Sequence, residues 1–446
     1  MKQTKENKRG QFGTKLGFIV ACVGSAVGMA NIWMFPYRTG KFGGAAFLIP
    51  YFIFVVLLGF SGVVGEMAFG RSMKTGPLGA FAGAMELRFG KKASKWGRVI
   101  GIVPVLGSLG IAIGYSVVVG WVLKYLFSAL TGELILTENM GAFFGNLTGD
   151  FGSIGWHLIA LLITFAIMAM GIAKGIEKVN KVMMPVFFIF FIILMIRVLT
   201  LPGAMEGYRY LFVPQWDQLL NVKTWVYALG QAFFSLSLAG SGTVVYGSYL
   251  KDDVDVIGSA KHVAFFDTIA ALLAGMVVIP AVFAFGMDVA SGPPLMFITL
   301  PAVFQQMPLG SLFAVIFFAA VLFAAITSLM NLFETPIEAV QEQFGLSRGM
   351  AVVLVAVVAT AVSVFIENGN AVSTWMDVIS IYVIPLGALL AGIMFFWVCP
   401  KGFAKEQAEL GSGKKLGKWF EPLTKYGFVG ITLIVYVLGI FFGGIG

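Results

Sequence analysis

Charge is what this chain has least of. Asp, Glu, Lys and Arg make up 12% of its 446 residues, against about 25% in an ordinary soluble protein. Cysteine is nearly absent: Cys22 and Cys399 both stand in apolar surroundings, which excludes a disulfide framework. Histidine is as scarce. His157 and His262 are the only two, and neither sits in a metal or triad pattern, which argues against an intramembrane hydrolase. Acidic residues are outnumbered, leaving a net charge of +8. The basic residues gather in short loops between apolar runs, not in a patch suited to nucleic acid. The N-terminal "MKQTKENKRGQ" is polar and basic and is not followed by a cleavage site, so no signal peptide is expected.

Apolar residues fill the space left by these absences, at 59% of the chain and a mean hydropathy of +0.91. A bilayer core of about 30 Å takes about 20 residues as helix. Eleven runs meet that length, near 16–38, 45–69, 99–127, 155–173, 182–201, 224–248, 260–287, 311–340, 349–366, 374–399 and 425–444. The chain is therefore expected to be a single all-α polytopic domain, 1–446, in contact with membrane lipid. Lysines and arginines concentrate before the first run, after the second, between the fourth and fifth, and between the tenth and eleventh. The positive-inside rule places the N-terminus in the cytoplasm and the C-terminus outside.

Two runs are interrupted. The first contains "GSAVGMANIWMFPY", residues 24–37, and the sixth "GQAFFSLSLAGSGTVVYGSY", residues 230–249. A continuous spanning helix gains nothing from such residues at mid-depth. Small residues also serve close helix packing, but two interruptions five runs apart point to an inverted-repeat transporter with its site at mid-membrane. Unwound turns free carbonyls for a monovalent cation, and half-helix N-termini can hold a carboxylate.

These segments, with "GGAAFLIPY", "GEMAFGR", "KGIEKVNKVMMP", "GQAFFSLSL", "FAAITSLMN" and "WMDVIS", resemble the neurotransmitter:sodium symporter family, and within it the bacterial LeuT-type amino-acid transporters with eleven spans. The resemblance runs from Arg9 to about Trp397. It implies a LeuT fold with five-plus-five inverted repeats: a cytoplasmic tail 1–15, helices one to five in 16–201, helices six to ten in 224–399, and helix eleven in 425–444. It also implies sodium-driven, alternating-access import of an amino acid, expected to be neutral or hydrophobic, across a bacterial inner membrane.

The site residues follow from the same resemblance. One sodium ion would be held by the Ala26 carbonyl, Asn31, Ser235 and Asp267. The other would be held by the carbonyls of Gly24, Val27 and Ala324 and the hydroxyls of Thr327 and Ser328, although those hydroxyls could equally bond back to their own helix. The substrate carboxylate would meet amides around Gly28 and the Tyr115 hydroxyl. Its ammonium would meet carbonyls near Ser25, Ala26, Phe234 and Ser237, with Ser235 beside them. Met29, Ala30, Ile111, Ala239, Gly240, Ser328, Asn331 and Leu332 would surround its side chain. Asp267 would replace the chloride used by animal members, making transport chloride-independent.

Gating is implied for Arg9 with Glu342, braced by Tyr249, with Phe12 as an inner plug. Gly175 and Pro185 would let the fifth helix unwind, unless Pro185 merely starts that helix. Met34 stands where the family has an arginine that pairs with the aspartate at Asp377. Either Arg38 reaches that aspartate instead, or the outer gate is apolar. Glu66 and Glu334 resemble groups that hold the two broken helices. The alternatives are a passive channel, which the single central polar cluster disfavours, and a proton-coupled or sodium-independent carrier in which Asp267 titrates.

Overall fold

The computed structural model describes residues 10–238, 241–290, 292, 294–413 and 415–445. Among them there is helix and no strand. Where lipid replaces water, a backbone must satisfy its own hydrogen bonds, and the helix does so within one segment. The main helices are α1 (Lys15–Ala26), α2 (Ala30–Lys41), α3 (Ala45–Met73), α4 (Lys91–Thr131), α5 (Ile154–Ala169), α6 (Ile172–Leu199), α7 (Val222–Ser235), α8 (Gly242–Ser248), α9 (Val256–Ala284), α10 (Leu295–Gln306), α11 (Gly310–Phe344), α12 (Arg348–Phe365), α13 (Gly369–Val398) and α14 (Phe420–Phe442). Eight of these are individually long and apolar enough to cross a membrane, and α1 with α2 forms a ninth span bent by 50°. The α5 helix is apolar but shorter.

Burial separates centre from rim. In α11 72% of the apolar window is buried and in α14 only 22%. The α11 and α4 helices pack along one another, and Ser108 Oγ donates to the Leu332 carbonyl at 2.8 Å. Rim helices turn Leu162, Ile196, Val357 and Phe441 outward. A soluble protein would not leave such a belt exposed; a lipid-facing one needs it.

Both interrupted runs are broken helices. The α1 helix is capped by Thr14, whose hydroxyl accepts from Gly17 N at 3.0 Å. It ends where Val27 takes an extended conformation. The α7 helix stops at Ser235, and α8 resumes at Gly242. Ser237 and Ser241, within that gap, hold φ of 55° and 52°. Non-glycine residues rarely adopt this region, and strain of this kind costs about 1–3 kcal/mol per residue. The broken helix α7/α8 lies against α3. A methyl on Gly70 would fall 1.8 Å from the Val244 carbonyl oxygen, and one on Gly247 2.5 Å from that of Met67, so two glycines permit the contact.

Pro185 lies inside α6, well past its first turn. The helix begins earlier, in a π-helical stretch Ile172–Glu177 that includes Gly175. The reading of Pro185 as a helix start is therefore corrected.

Candidate functional site: the two helix breaks and the cavity they floor

A cavity of about 760 Å³ descends to the two breaks. Its floor is Ser25, Ala26, Gly28, Met29 and Ala30 from the first break and Phe234 and Ser237 from the second. Its walls are Ile111 and Tyr115 of α4 and Ser328, Asn331 and Leu332 of α11. It rises past Met34, Arg38 and Asp377 to the loops at Thr148 and Asn368. Of the described residues expected around a substrate, Ser235 alone is not in its lining. Ala239, Gly240 and Arg9 lie outside the described residues.

The breaks hold each other. Ser237 Oγ donates to the Ser25 carbonyl at 2.9 Å, and Gln231 Nε2 to that of Ala30 at 2.8 Å. Gly28 N donates to Asn31 Oδ1 at 3.0 Å, and Met29 N to the Tyr115 hydroxyl at 3.4 Å. Because Tyr115 accepts there, its own proton is left to donate into the cavity. Together with the start of α2, this makes the site a suitable receiver for a carboxylate.

The strongest feature is on the α11 side. Ser328 Oγ lies 3.4 Å from the Gly24 carbonyl, 3.1 Å from that of Ser25 and 3.3 Å from that of Val27. One hydroxyl carries one proton and can satisfy one of these acceptors at a time. The Ser25 carbonyl also accepts from Ser237, so those of Gly24 and Val27 are left to share this one proton, in an oxygen-rich nest that a cation would complete. Thr327 Oγ1, beside it, lies 3.0 Å from each of the carbonyls of Phe323 and Ala324 of its own helix and donates to one of them at a time.

A second polar cluster lies behind the cavity. Ser235 Oγ is 2.9 and 2.8 Å from the two oxygens of Asp267, and Asn31 Nδ2 is 2.7 Å from Asp267 Oδ1 and 3.0 Å from Ser235 Oγ. Asp267 is fully buried, and among the described residues no cation pairs with it. Neutral hydrogen bonds compensate a buried carboxylate only partly. The Asn31 amide is turned so that its nitrogen faces Asp267 and its oxygen faces Gly28 N. An ion seated there would require that amide to turn over.

The opposite end of the cavity is sealed. Phe12 packs edge-on against Phe18, Tyr246 and Tyr249, with ring centroids 5.4, 5.5 and 6.3 Å apart. Tyr249 donates to Glu334 Oε1 at 2.6 Å, and Arg348 forks onto both Glu334 oxygens at 2.8 Å. Glu342 lies by Thr75 and is 3.6 Å from Arg98. Among the described residues Tyr249 is thus bonded to Glu334. Glu334 ties the end of α8 to α11 and α12, and Glu66 has no hydrogen-bond partner among the described residues.

Three features were not foreseen. Glu177 accepts from Gly13 N at 2.6 Å, Thr14 Oγ1 at 2.7 Å and Lys181 Nζ at 2.6 Å, so α6 grips the start of α1. Asn180 reaches α1 at Gly24. His157 does enter a triad-like chain, with Nε2 3.0 Å from Ser116 Oγ and Nδ1 2.7 Å from Glu367 Oε2. All three residues are buried and none borders the cavity. No substrate reaches that serine, and the chain braces α4, α5 and the α12–α13 turn.

A family-wide sequence profile described as the Sodium:neurotransmitter symporter family matches residues 9–146 and 143–421. An uncharacterized sodium-dependent transporter of Bacillus subtilis, YhdH, is 35% identical over 434 residues, covering 93% of each chain. One from Methanocaldococcus jannaschii is 32% identical, covering 93% of this chain and 87% of its own. Among solved structures, MhsT in complex with L-phenylalanine superposes with a TM-score of 0.84 at 33% identity, over 96% of this chain and 99% of that one.

Proposed function

The chain belongs to the sodium:neurotransmitter symporter family, and on that premise we propose that it imports an amino acid, neutral or hydrophobic, with two sodium ions and without chloride. The family is one of sodium-dependent membrane transporters, not enzymes, and the chain shares the LeuT fold. In this reading one sodium ion binds at Gly24, Val27, Ala324, Thr327 and Ser328, and the other at Ala26, Asn31, Ser235 and Asp267. The observation that carries it is the convergence of three break carbonyls on the one Ser328 hydroxyl, directly under the cavity.

The amino acid would sit on the cavity floor. Its carboxylate takes the Tyr115 proton and the amides at the start of α2, and its ammonium takes carbonyls of the breaks. The L-phenylalanine bound to the structural neighbour supports a hydrophobic substrate of that class. The second ion would supply Asp267 with the charge partner that it lacks. The lysine-rich end is read as cytoplasmic, which makes the cavity an outward vestibule and the Phe12 seal the inner gate. The repeats 16–201 and 224–399 would then rock about the site.

The test is a thermal-shift screen of the purified protein against the amino acids in sodium chloride, sodium gluconate and choline chloride. The reading expects stabilisation by a hydrophobic amino acid in both sodium salts and none in choline. Equal stabilisation in choline would overturn sodium coupling, and a response confined to the chloride salt would overturn chloride independence.

A further inference from the structure

Asn180 lies in the first turn of the regular part of α6 and is fully buried. Its Nδ2 donates to the Ile176 carbonyl of its own helix at 2.8 Å. That bond fixes which way the amide faces and sends Oδ1 towards α1. There the oxygen finds no donor among the described residues. An unsatisfied buried acceptor costs about 1–3 kcal/mol, so its presence calls for a partner outside the polypeptide.

Its position identifies the partner. A methyl built on Gly24 would fall 2.0 Å from Asn180 Oδ1 and 3.1 Å from Thr327 Cβ. Asn180 from α6 and Thr327 from α11 therefore bracket the same point of α1. That point belongs to Gly24, whose carbonyl is one of the three around Ser328. An amide oxygen is a neutral hard donor of the same kind as the carbonyls already gathered there. About three turns back, at the head of α1, Gly13 and Thr14 are gripped by Glu177 of the same α6. The α6 helix thus touches both the gate and the ion nest.

We propose that Asn180 Oδ1 is a further oxygen for sodium at the α1/α11 nest, bonded to the ion or to a water that accompanies it, on the side facing the lysine-rich end. The assignment rests on the sodium site of the proposed function. It links ion occupancy to the helix that clamps α1: loss of sodium removes the partner that Asn180 shares with α11, and α6 is then held to the nest less firmly.

The test is radiosodium binding to the purified full-length protein, with wild type, Asn180→Leu and Asn180→Asp compared at constant ionic strength. Leucine keeps the branched outline of the side chain and removes the oxygen. It is expected to raise the sodium Kd on the order of threefold to tenfold, the worth of one lost polar contact, with the melting temperature in choline unchanged. Aspartate restores an oxygen and adds charge, and should bind sodium at least as tightly as wild type. A leucine variant with wild-type sodium Kd would overturn the assignment. So would a lowered melting temperature in choline with sodium affinity intact, which marks a packing role. If the leucine variant does not fold, Asn180→Ser decides on the same two readings. A wild-type protein that binds no sodium would instead sink the site itself, and this assignment with it.

Discussion

The two ends of the helix bundle are built differently. At the lysine-rich end, side chains from distant parts of the chain hold the broken helices and their neighbours through short, separable contacts. Glu177 grips Gly13 and Thr14, Arg348 forks onto Glu334, and Arg71 is wrapped by the carbonyls of Val254, Gln407 and Leu410. At the other end the cavity mouth has no such closure among the described residues. Arg38 is turned away from Asp377, donating to Gln231 Oε1 at 3.1 Å and lying over the Tyr227 ring. The firm structure there is set back from the mouth, in the buried Ser116–His157–Glu367 chain that supports the vestibule wall. A transporter that alternates needs latches at each end that a few kcal/mol can undo, hung on a frame that does not move. The lysine-rich end displays latches and the vestibule displays frame.

On that division, the largest stability loss should come from the frame. Removing one member of a fully buried, hydrogen-bonded polar pair costs about 3–5 kcal/mol. Glu367→Ala is therefore expected to lower the melting temperature of the purified protein strongly, while sodium still stabilises what remains folded. A small shift in melting temperature, or loss of the sodium response alone, would move Glu367 from frame to site.

Next comes the nest between the ends. Thr327→Ala with Ser328→Ala removes two oxygens from the expected sodium set, at about 1–1.5 kcal/mol each. Sodium affinity should fall roughly a hundredfold, with the fold retained because neither hydroxyl is the sole donor holding its helix. An unchanged radiosodium Kd would refute the nest.

A latch should be milder to lose. Glu177→Ala deletes both bonds to the start of α1, worth roughly tenfold in the equilibrium between sealed and open. The two native cysteines provide the readout. Cys22 lies buried within α1 and Cys399 is buried after α13. Thiol labelling of Cys22 should accelerate about tenfold in the variant with Cys399 unchanged. Equal acceleration at both would mean general loosening and no latch.

Sequence and structure part company along the same line. The breaks were legible because glycine, serine and asparagine stand out within an apolar run, and breaking a helix at mid-depth is costly unless a site uses the freed backbone. Asn31, Ser235 and Ser328 were named by the family resemblance, not by the breaks, and they lie on or opposite those breaks. The latches were not legible. Glu177 and Thr14 are 163 residues apart, and His157 and Glu367 are 210 apart. Nothing local distinguishes a carboxylate that clamps a distant backbone amide from one that faces water. The unused oxygen of Asn180 was equally hidden, because being unpartnered is a property of the packed state. The orientation of the Asn31 amide and the interior position of Pro185 depend likewise on neighbours that composition does not reveal.

The smallest expected effect tests the open mouth itself. Met34 and Asp377 both line the vestibule, and Arg38, the nearby candidate to serve Asp377, is engaged elsewhere. Met34→Arg would put a guanidinium within the same cavity as that carboxylate. An ion pair across a wet vestibule contributes about 0–1 kcal/mol and weakens with salt. The variant should therefore favour closure of the mouth modestly, slowing amino-acid exchange by at most about fivefold, more at low ionic strength than at high. Binding at the floor should persist, because Met34 lies above the residues that would hold the backbone of the substrate. A variant that binds no amino acid would place Met34 in the pocket. An exchange rate indifferent to both the substitution and the salt would mean that this end closes by apolar contact alone, and that the two ends differ in chemistry as well as in the state captured.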